Sequence, residues 1–341
     1  MTQLLSKSAS TQALNKLDMP SRPRRLRRSD AIRGLVQETR LHPRDLIVPL
    51  FIAPGDRRTD EITSMPGIFR LSLDHTLREI EALCTLGIRA VDLFAYVAQE
   101  MKDSRGSEAL RPDNLLAESI RTIKKEFPEI LVMADIALDP YTDHGHDGIV
   151  NASGDIVNDE TVEVLSEMSL LAARAGVDVV APSDMMDGRV ASIRSALDQE
   201  GFEQVSILSY TAKYASSFYG PFRDALDSKP RFGNKKTYQM NPANVREALR
   251  EAELDEAEGA DMLLVKPALP YLDVIAKIKE RTHLPVGAYH VSGEYAMVIA
   301  GERAGWIKGD DVFLESLTSI KRAGADFILT YAAKRVLPLI Q

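Results

Sequence analysis

Short apolar segments recur along the chain and are separated by longer segments with helical spacing. Each short segment is continuously apolar rather than alternating, which is typical of parallel strands covered on both faces. The pattern therefore predicts eight buried strands. They are LIVPLFI (46–52), IRAVDLF (88–94), ILVMADI (130–136), VDVVAP (177–182), VSILSY (205–210), DMLLVK (261–266), PVGAYH (285–290) and DFILTY (326–331).

The longer segments contain strong helix formers, and several end in Gly just before the next strand, where helices commonly stop. Eight strand–helix alternations predict an α/β fold, a (β/α)8 TIM barrel. An open, doubly wound sheet is the alternative, but no Gly-rich dinucleotide loop follows the first predicted strand. The length of 341 residues suits one large barrel with an additional terminal segment.

The amino-terminal region differs from the rest in composition. Residues 1–21 lack the apolar core of a secretory signal, whereas an organelle transit peptide is left open. Residues 22–28 (RPRRLRR) fit either a nucleic-acid arm or a solvated, subunit-binding arm. The net charge of -8 and the lack of interleaved aromatic residues favour the second. We therefore expect an extended arm (1–30) that makes oligomer contacts, followed by a catalytic barrel (31–341).

Composition excludes several classes of protein. The single cysteine, Cys84, rules out a disulfide framework and any Cys-rich zinc site. Its place on the apolar stripe of a predicted helix indicates a buried packing residue. No apolar run approaches the ~18 residues of a membrane span. We expect a cytoplasmic protein with no nucleic-acid or membrane partner, and a plastid location is left open.

Polar residues cluster where the predicted strands end. In barrels of this type the active site lies at the carboxyl ends of the strands, so these residues define a candidate site. They are Asp135, Asp139, His144, His146, Asp147, Ser183, Asp184, Tyr210, Lys213, Lys266, Tyr289, His290, Ser292 and Tyr331.

Lys266 is the strongest candidate for a catalytic residue among them. It closes the apolar run from Met262 to Val265, and burial at that point would lower its pKa. Only a neutral amine attacks a carbonyl to form a Schiff base. A lysine that extends from the barrel rim to solvent is the alternative. Lys213 follows the neighbouring strand, however, and two nearby ammonium groups repel, so the pair favours carbonyl chemistry.

The segment after Lys213 is rich in Gly, Pro and aromatic residues and shows little periodicity over residues 214–240. Long loops of this kind often close over active sites. Arg223 and Lys235 in such a lid would hold a substrate carboxylate. An ordinary solvated loop is the alternative.

The loop after the third strand, DIALDPYTDHGHDG (135–148), combines carboxylates and imidazoles without a thiolate. Such a set suits Mg²⁺ or a similar hard ion. Equally, these acids would cap turns and neutralise the nearby lysines. The residues alone leave the two interpretations open.

Seven segments carry a family resemblance that covers most of residues 22–335. They are DPYTDHGHDG, APSDMMDG, SYTAKYASSFYGPFRDA, YQMNP, GADMLLVKPALPYLD, YHVSGEYAM and KRAGAD. Together they resemble the 5-aminolevulinate dehydratase (porphobilinogen synthase) family. The resemblance implies condensation of two 5-aminolevulinate molecules to porphobilinogen with loss of two waters, an early step of tetrapyrrole synthesis. It also implies a TIM barrel with an amino-terminal arm, assembled as a homo-octamer.

The resemblance implies roles for individual residues. Lys266 would form the Schiff base with the substrate bound first, and Lys213 with the second. Lys235 stands where some members have arginine, and lysine keeps the charge but loses the bidentate fork. The implied substrate-binding residues are Ser292 and Tyr331 for the first carboxylate, Asp135 and Ser183 for the amino group of the first substrate, Arg223, Lys235 and Gln239 for the second carboxylate, Phe222 and Tyr219 for the second pocket, and Tyr289 and Asp139 beside them.

The loop after the third strand also marks a departure from part of that family. Zinc-type members carry three cysteines there, where this chain has Ala137, Asp139 and Asp147. This excludes a zinc–thiolate site, so no catalytic zinc is expected. We favour metal-free chemistry in the active site, and a weakly held Mg²⁺ at the acids is the alternative.

A second metal site is expected on the predicted helix 243–258. Glu247, Glu251 and Asp255 fall four residues apart, and like charges at this spacing repel unless a cation offsets them. By resemblance, Glu251 matches the position that holds an allosteric Mg²⁺. A solvated acidic face paired with nearby arginines is the alternative.

Two other functions compete with this interpretation. An aldolase acting on a 2-keto acid needs one Schiff-base lysine, and a non-catalytic ligand-binding or assembly protein needs none. The presence of both Lys213 and Lys266 argues against each.

Overall fold

The computed structural model of the protein describes residues 21–340. Residues 1–20, which make up most of the predicted arm, lie outside the described residues, as does Gln341. The chain divides into two compact units, residues 1–40 and residues 41–341. In the first unit the described residues form a 3-10 turn, Pro23–Arg27, and helix α1, Asp30–Leu35, and neither buries a side chain.

The second unit contains the strands, and eight of them match the predicted runs in position. Every residue of the first strand is buried, because the barrel interior covers one face and helices cover the other. The strands are β1 (Leu46–Ile52), β2 (Thr59–Glu61), β3 (Phe69–Leu71), β4 (Ala90–Ala95), β5 (Leu131–Ile136), β6 (Ile149–Val150), β7 (Ile156–Val157), β8 (Val179–Pro182), β9 (Ser206–Lys213), β10 (Met262–Lys266), β11 (Val286–His290) and β12 (Phe327–Thr330).

Eight parallel strands close into a barrel, as predicted. Their order is β1-β4-β5-β8-β9-β10-β11-β12, and β12 pairs back with β1. β2 and β3 form a hairpin, and β3 pairs with β1 beside the barrel. β6 and β7 form a separate two-stranded sheet. The closed (β/α)8 barrel places the carboxyl ends of all eight strands around one opening.

Helices follow or precede the barrel strands as the periodicity predicts. Helix α4 ends at Gly176, whose left-handed conformation (φ 96°) stops the helix before β8. The helices of this unit are α2 (Leu73–Thr85), α3 (Leu115–Glu126), α4 (Asn158–Ala175), α5 (Arg189–Gln199), α6 (Gly220–Leu226), α7 (Arg246–Ala257), α8 (Leu272–Lys279), α9 (Ser292–Arg303), α10 (Gly309–Arg322) and α11 (Ala333–Val336).

Three local predictions need correction. The strand predicted to end at Tyr210 continues to Lys213, so this lysine belongs to the strand and not to the loop after it. The lid (214–240) contains helix α6, which begins with Pro221 in its first turn, where proline needs no N–H partner. Cys84 is only half-buried at the edge of the core.

Among residues 21–340, no helix is long and apolar enough to cross a membrane.

Candidate active site

Lys213 and Lys266 lie opposite each other on adjacent parallel strands. They are Cα partners in the pairing of β9 with β10, so their side chains leave the same face of the sheet. Both side chains are buried, with 6% and 4% of their surface exposed. The register therefore places the two amines together at the carboxyl end of the barrel.

Aromatic rings surround the Lys266 amine. Its Nζ lies 4.5 Å from the ring centre of Tyr289, 4.7 Å from Phe222, 5.1 Å from Tyr210 and 5.4 Å from Tyr219. Burial among these rings and, next to it, the charge of Lys213 together lower the pKa of the amine to about 7. A substantial fraction of neutral amine is thus present near neutral pH, as nucleophilic attack on a carbonyl requires.

Lys213 has polar neighbours instead. Its Nζ donates a hydrogen bond to the backbone carbonyl of Ser183 and lies 3.9 Å from Asp147. The pKa of Asp147 is low even though burial alone would raise it, because Lys213 and Lys235 face it. Lys213 is therefore held at the mouth of the barrel by one carbonyl and one carboxylate.

Lys235 reaches from the lid into the acidic loop. Its Nζ donates to Asp139 at 3.3 Å and to Asp147 at 3.2 Å, and all three side chains are buried. Burial would lower the pKa of Lys235, but the two carboxylates raise it above its ordinary value. An ammonium thus occupies the space between these acids, as the charge-neutralising interpretation of the loop requires.

The histidines of the same loop have protein partners. His146 contacts the carbonyl of Phe232 and the hydroxyl of Tyr238, each at 3.1 Å, and His144 contacts the carbonyl of Ser104 at 3.2 Å. Within residues 21–340, no three histidine, cysteine, aspartate or glutamate side chains are arranged to hold a metal ion. The His146 imidazole thus joins the loop to the lid, and the His144 imidazole joins it to the loop after β4.

Some buried oxygens in the site have no hydrogen-bond partner among the described residues. They include Oδ1 of Asp135 and Oε1 of Gln239. Burial raises the pKa of Asp135 to about 6, even though Lys213 lowers it. Buried polar atoms without partners are costly in a finished core, so these two oxygens are suited to a polar ligand.

Most of the predicted site residues line one narrow cavity. Ser292 lies beside it and accepts a hydrogen bond from the backbone N–H of Phe222 at 3.0 Å. Tyr289 and Tyr331 lie on the Lys266 side, with their hydroxyls 2.7 Å apart. The residues that line the cavity are Asp135, Asp139, Ser183, Lys213, Tyr219, Phe222, Arg223, Lys235, Gln239 and Lys266.

The lid is fixed to the barrel by contacts that sequence reasoning missed. Arg70 donates to the carbonyls of Asp224 and Ala225, both at 2.5 Å. Lys102, which is buried, donates to the carbonyls of Leu226 (3.2 Å) and Asp227 (2.9 Å). Cations at the carboxyl end of a helix satisfy its last carbonyls and oppose its dipole.

Aromatic packing closes the lid on its other side. The ring of Phe222 lies 5.8 Å from that of Phe51 and 5.2 Å from that of Phe94, both on barrel strands. Phe222 therefore covers the interior of the barrel directly above Lys266.

The acidic face of α7 differs from the predicted column of three carboxylates. Asp255 is buried, accepts a hydrogen bond from Ser209 at 2.6 Å and pairs with Arg189 at 3.7 Å, so it belongs to the core. Glu251 is half-buried, and burial and Asp255 raise its pKa. With Glu247 it borders a cavity of about 540 Å³, separate from the lysine site.

Comparison with known proteins agrees with this geometry. The family model for delta-aminolevulinic acid dehydratase matches residues 20–339. The delta-aminolevulinic acid dehydratase of Chlamydia pneumoniae is 53% identical over 96% of this chain and 98% of its own length. The chloroplastic enzyme of Physcomitrium patens is 55% identical over 95% of this chain and 75% of its own length.

A solved structure shows the same fold. It is a crystal structure of delta-aminolevulinic acid dehydratase (porphobilinogen synthase) from Toxoplasma gondii ME49 in complex with the reaction product porphobilinogen. The TM-score is 0.93 at 53% identity, over 95% of this chain and 92% of that chain. The barrel, the paired lysines and these relatives agree: the chain belongs to the delta-aminolevulinic acid dehydratase family.

Proposed function

We propose that this chain condenses two molecules of 5-aminolevulinate to porphobilinogen, with loss of two waters, through Schiff bases on Lys266 and Lys213. The observation that carries the proposal is the buried Lys266 amine, with a pKa of about 7, in register with a second buried lysine. Membership of the family and the porphobilinogen bound to the Toxoplasma gondii relative support it.

The proposed chemistry uses the two lysines differently. Lys266 attacks the keto group of the first substrate, and loss of water leaves an iminium that makes the adjacent carbon acidic. The ring faces around Lys266 stabilise that cation. Lys213 forms the second Schiff base and holds the second substrate beside the first, which converts a bimolecular step into a positioned one.

The substrate contacts of the proposal follow the cavity. Ser292 and Tyr331 bind the first carboxylate, and Asp135 with Ser183 binds the amino group of the first substrate. Asp135, with a pKa near 6, is suited to exchange a proton with that amine. Residues of the lid and its neighbours bind the second substrate, namely Arg223, Lys235 and Gln239 at its carboxylate, Tyr219 and Phe222 at its chain, and Tyr289 and Asp139 close by.

Borohydride trapping tests the Schiff bases. Incubation of the full chain with 5-aminolevulinate and sodium borohydride should leave a reduced adduct on Lys266, located by peptide mass spectrometry. Lys266→Met should lose the adduct and porphobilinogen formation together, whereas Lys236→Met, a change at an exposed lysine of the lid, should retain both. Absence of any adduct on Lys266 in the active enzyme would overturn the mechanism.

We also propose that a Mg²⁺ ion binds the acidic face of α7 through Glu251, largely by way of its water ligands. Burial and the negative charges of Asp255, Asp187 and Glu247 raise the pKa of Glu251 even though Arg189 lowers it, and a hydrated cation would offset those charges. The ion would raise activity without taking part in the reaction. Treatment with EDTA should lower porphobilinogen formation partially, and added Mg²⁺ should restore it, whereas a thiol-preferring zinc chelator should have little effect.

Self-association as a homo-octamer, with contacts from the arm (1–30), completes the proposal. Light scattering coupled to size-exclusion chromatography measures the assembly directly, and a chain lacking residues 1–30 should form a smaller species. Cell fractionation distinguishes the proposed cytoplasmic location from a plastid, the compartment named for the plant relatives.

A further inference from the structure

One buried carboxyl in the barrel has no role in the chemistry described so far. Asp92 lies in the middle of β4, in the run AVDLFA, and none of its surface is exposed. Its Oδ2 accepts a hydrogen bond from the hydroxyl of Tyr210 at 3.4 Å. Tyr210 belongs to β9, three strands away in the barrel order, so the Asp92 side chain crosses the barrel interior to reach it.

This carboxyl is connected to the proposed nucleophile. The hydroxyl of Tyr210 donates to Asp92, and the ring of Tyr210 lies 5.1 Å from Nζ of Lys266. The same ring packs edge-to-face on Tyr289, with ring centres 6.4 Å apart, and Tyr289 is the ring nearest to that amine. Asp92 is thus bonded to one wall of the aromatic enclosure around Lys266.

The other oxygen of the carboxyl is not used for structure. Oδ1 of Asp92 is buried and has no hydrogen-bond partner among residues 21–340. Burying a carboxyl costs free energy that an apolar residue at this point would not, and the side-chain hydrogen bond from Tyr210 is long. Packing alone therefore does not account for an acid here.

A charge appears next to Asp92 during the proposed reaction. Attack by the neutral Lys266 amine and loss of water take up one proton and leave a positive nitrogen. Ionisation of a neutral carboxyl releases one proton and leaves a negative charge, so the two events together keep the net charge of the buried site unchanged. In a water-poor site such a counter-charge is worth far more than at a surface.

We propose that Asp92 is a positioning residue that fixes the Tyr210 ring against Lys266 and supplies the counter-charge for the Lys266 iminium. The inference rests on the proposed Schiff-base function and deepens it.

The electrostatics of the surrounding groups agree with this role. Burial and the charge of Asp135 raise the pKa of Asp92 well above its ordinary value and so favour the neutral carboxyl, whereas the charge of Lys266 lowers this pKa and favours the carboxylate. In turn Asp92 raises the pKa of Lys266. The titratable groups that face Asp92 or Lys266 from the packed strands, their loops and the lid are Asp135, Asp139, Lys213, Tyr210, Tyr219, Tyr289 and Tyr331.

Asp92→Asn tests the counter-charge, because the amide has nearly the same shape, still accepts the Tyr210 hydrogen bond and never ionises. The readout is the rate of borohydride-trapped adduct on Lys266 against pH, with 5-aminolevulinate saturating. The ionised form of Asp92 raises the pKa of Lys266, and asparagine has no such form, so the midpoint should move to lower pH by about half a unit or more. The iminium loses its counter-charge, so kcat should fall about tenfold while KM changes little.

Tyr210→Phe is the second variant and keeps the carboxyl while removing its hydrogen bond. Loss of the Tyr210 donor raises the pKa of Asp92, so less of its carboxylate is present to raise the pKa of Lys266. The midpoint should therefore also move to lower pH, but by less than in Asp92→Asn. Thr211→Val is the matched control. It removes a buried hydroxyl of the same strand that has no partner among residues 21–340, and it should leave the midpoint unchanged.

The outcomes separate the two proposals. If Asp92→Asn and Tyr210→Phe both fold and both show the midpoint of the wild type, the role of Asp92 is overturned and the Schiff-base function stands. Absence of any adduct in the wild type would overturn that function and this inference with it. If Asp92→Asn fails to fold, the Tyr210→Phe midpoint decides alone, and an unchanged value there also overturns the inference.

Discussion

Lys235 lies 3.2 Å from Asp147, and both side chains are cut off from solvent. One residue belongs to the lid and the other to the loop after β5, so this ion pair joins the cover of the active site to its wall. A buried pair of this kind is costly to break from one side, because the remaining buried charge then loses its nearest partner.

Lys235→Met should therefore lower the free energy of unfolding by about 3 kcal/mol and raise KM for 5-aminolevulinate at least tenfold. Lys236→Met changes the next residue, which is exposed, and should leave both values close to wild type. Thermal unfolding and steady-state kinetics measure the two effects. Equal unfolding temperatures for the two variants would show that the pair contributes nothing.

The same pair gives stability a defined dependence on pH. Because the folded state lowers the pKa of Asp147 below its unfolded value of about 3.9, its contribution is present above that value and is lost as pH falls through the folded pKa. The stability difference between wild type and Asp147→Asn should accordingly be large at pH 7 and shrink in acid. A difference that stays constant down to pH 3 would contradict the assignment.

Gly145 lies where the backbone of the acidic loop comes close to the backbone of the lid. A Cβ at this position would lie 2.7 Å from the carbonyl oxygen of Lys229, and the backbone is left-handed (φ +72°). Gly188 has nearly the same backbone (φ +75°) but open space around it. Gly145→Ala should therefore reduce activity and stability well beyond Gly188→Ala, whose cost is only the backbone strain of about 1 kcal/mol. Matching losses in the two variants would show that the contact is unimportant.

Sequence patterns predicted the barrel well and the site in part. Continuous apolar runs mark parallel strands whatever their partners, and Lys266 stood out because it ends such a run. Lys102 and Arg70 could not be recognised, because their partners are backbone carbonyls of the lid more than a hundred residues away. Asp255 was assigned to a column of mutually repelling carboxylates because helical spacing alone does not show that Arg189 lies beside it.

Asp92, in contrast, could have been recognised from the sequence. A carboxylate in the middle of the apolar run IRAVDLF breaks the pattern of a buried strand. Local disagreement with an otherwise consistent pattern is where functional residues are expected.

Lys102 is predicted to hold the lid closed. Lys102→Met would leave the carbonyls of Leu226 and Asp227 without their donor, at a cost of about 2 kcal/mol or more. We expect faster proteolysis within residues 214–240 and a higher KM. Lys125→Met, at a lysine with 82% of its side chain exposed, is the control and should match wild type in both assays.

The pH profile of kcat/KM should show an acid limb controlled by Lys266. Its pKa of about 7 means that the free amine, and with it the rate, rises as pH increases through this value and levels off above it. A profile flat from pH 6 to 8 would contradict attack by this amine.

Glu251 and Asp255 should respond differently to substitution. Glu251→Gln should abolish the activation by Mg²⁺ with little loss of stability, because the side chain is only half-buried. Asp255→Asn should lower stability whether or not Mg²⁺ is present, because it leaves buried Arg189 without a full counter-charge. Glu253→Gln, on the exposed side of α7, is the control for both. Retained Mg²⁺ activation in Glu251→Gln would place the ion elsewhere.

The contact of Phe222 with Phe51 and Phe94 makes closure of the lid sensitive to low temperature. Attraction between apolar surfaces in water fades on cooling, whereas the hydrogen bonds from Arg70 and Lys102 to the lid do not share that dependence. Cooling therefore loosens the aromatic half of the closure first. We therefore expect the lid to loosen at Phe222 on cooling before the barrel itself loses stability.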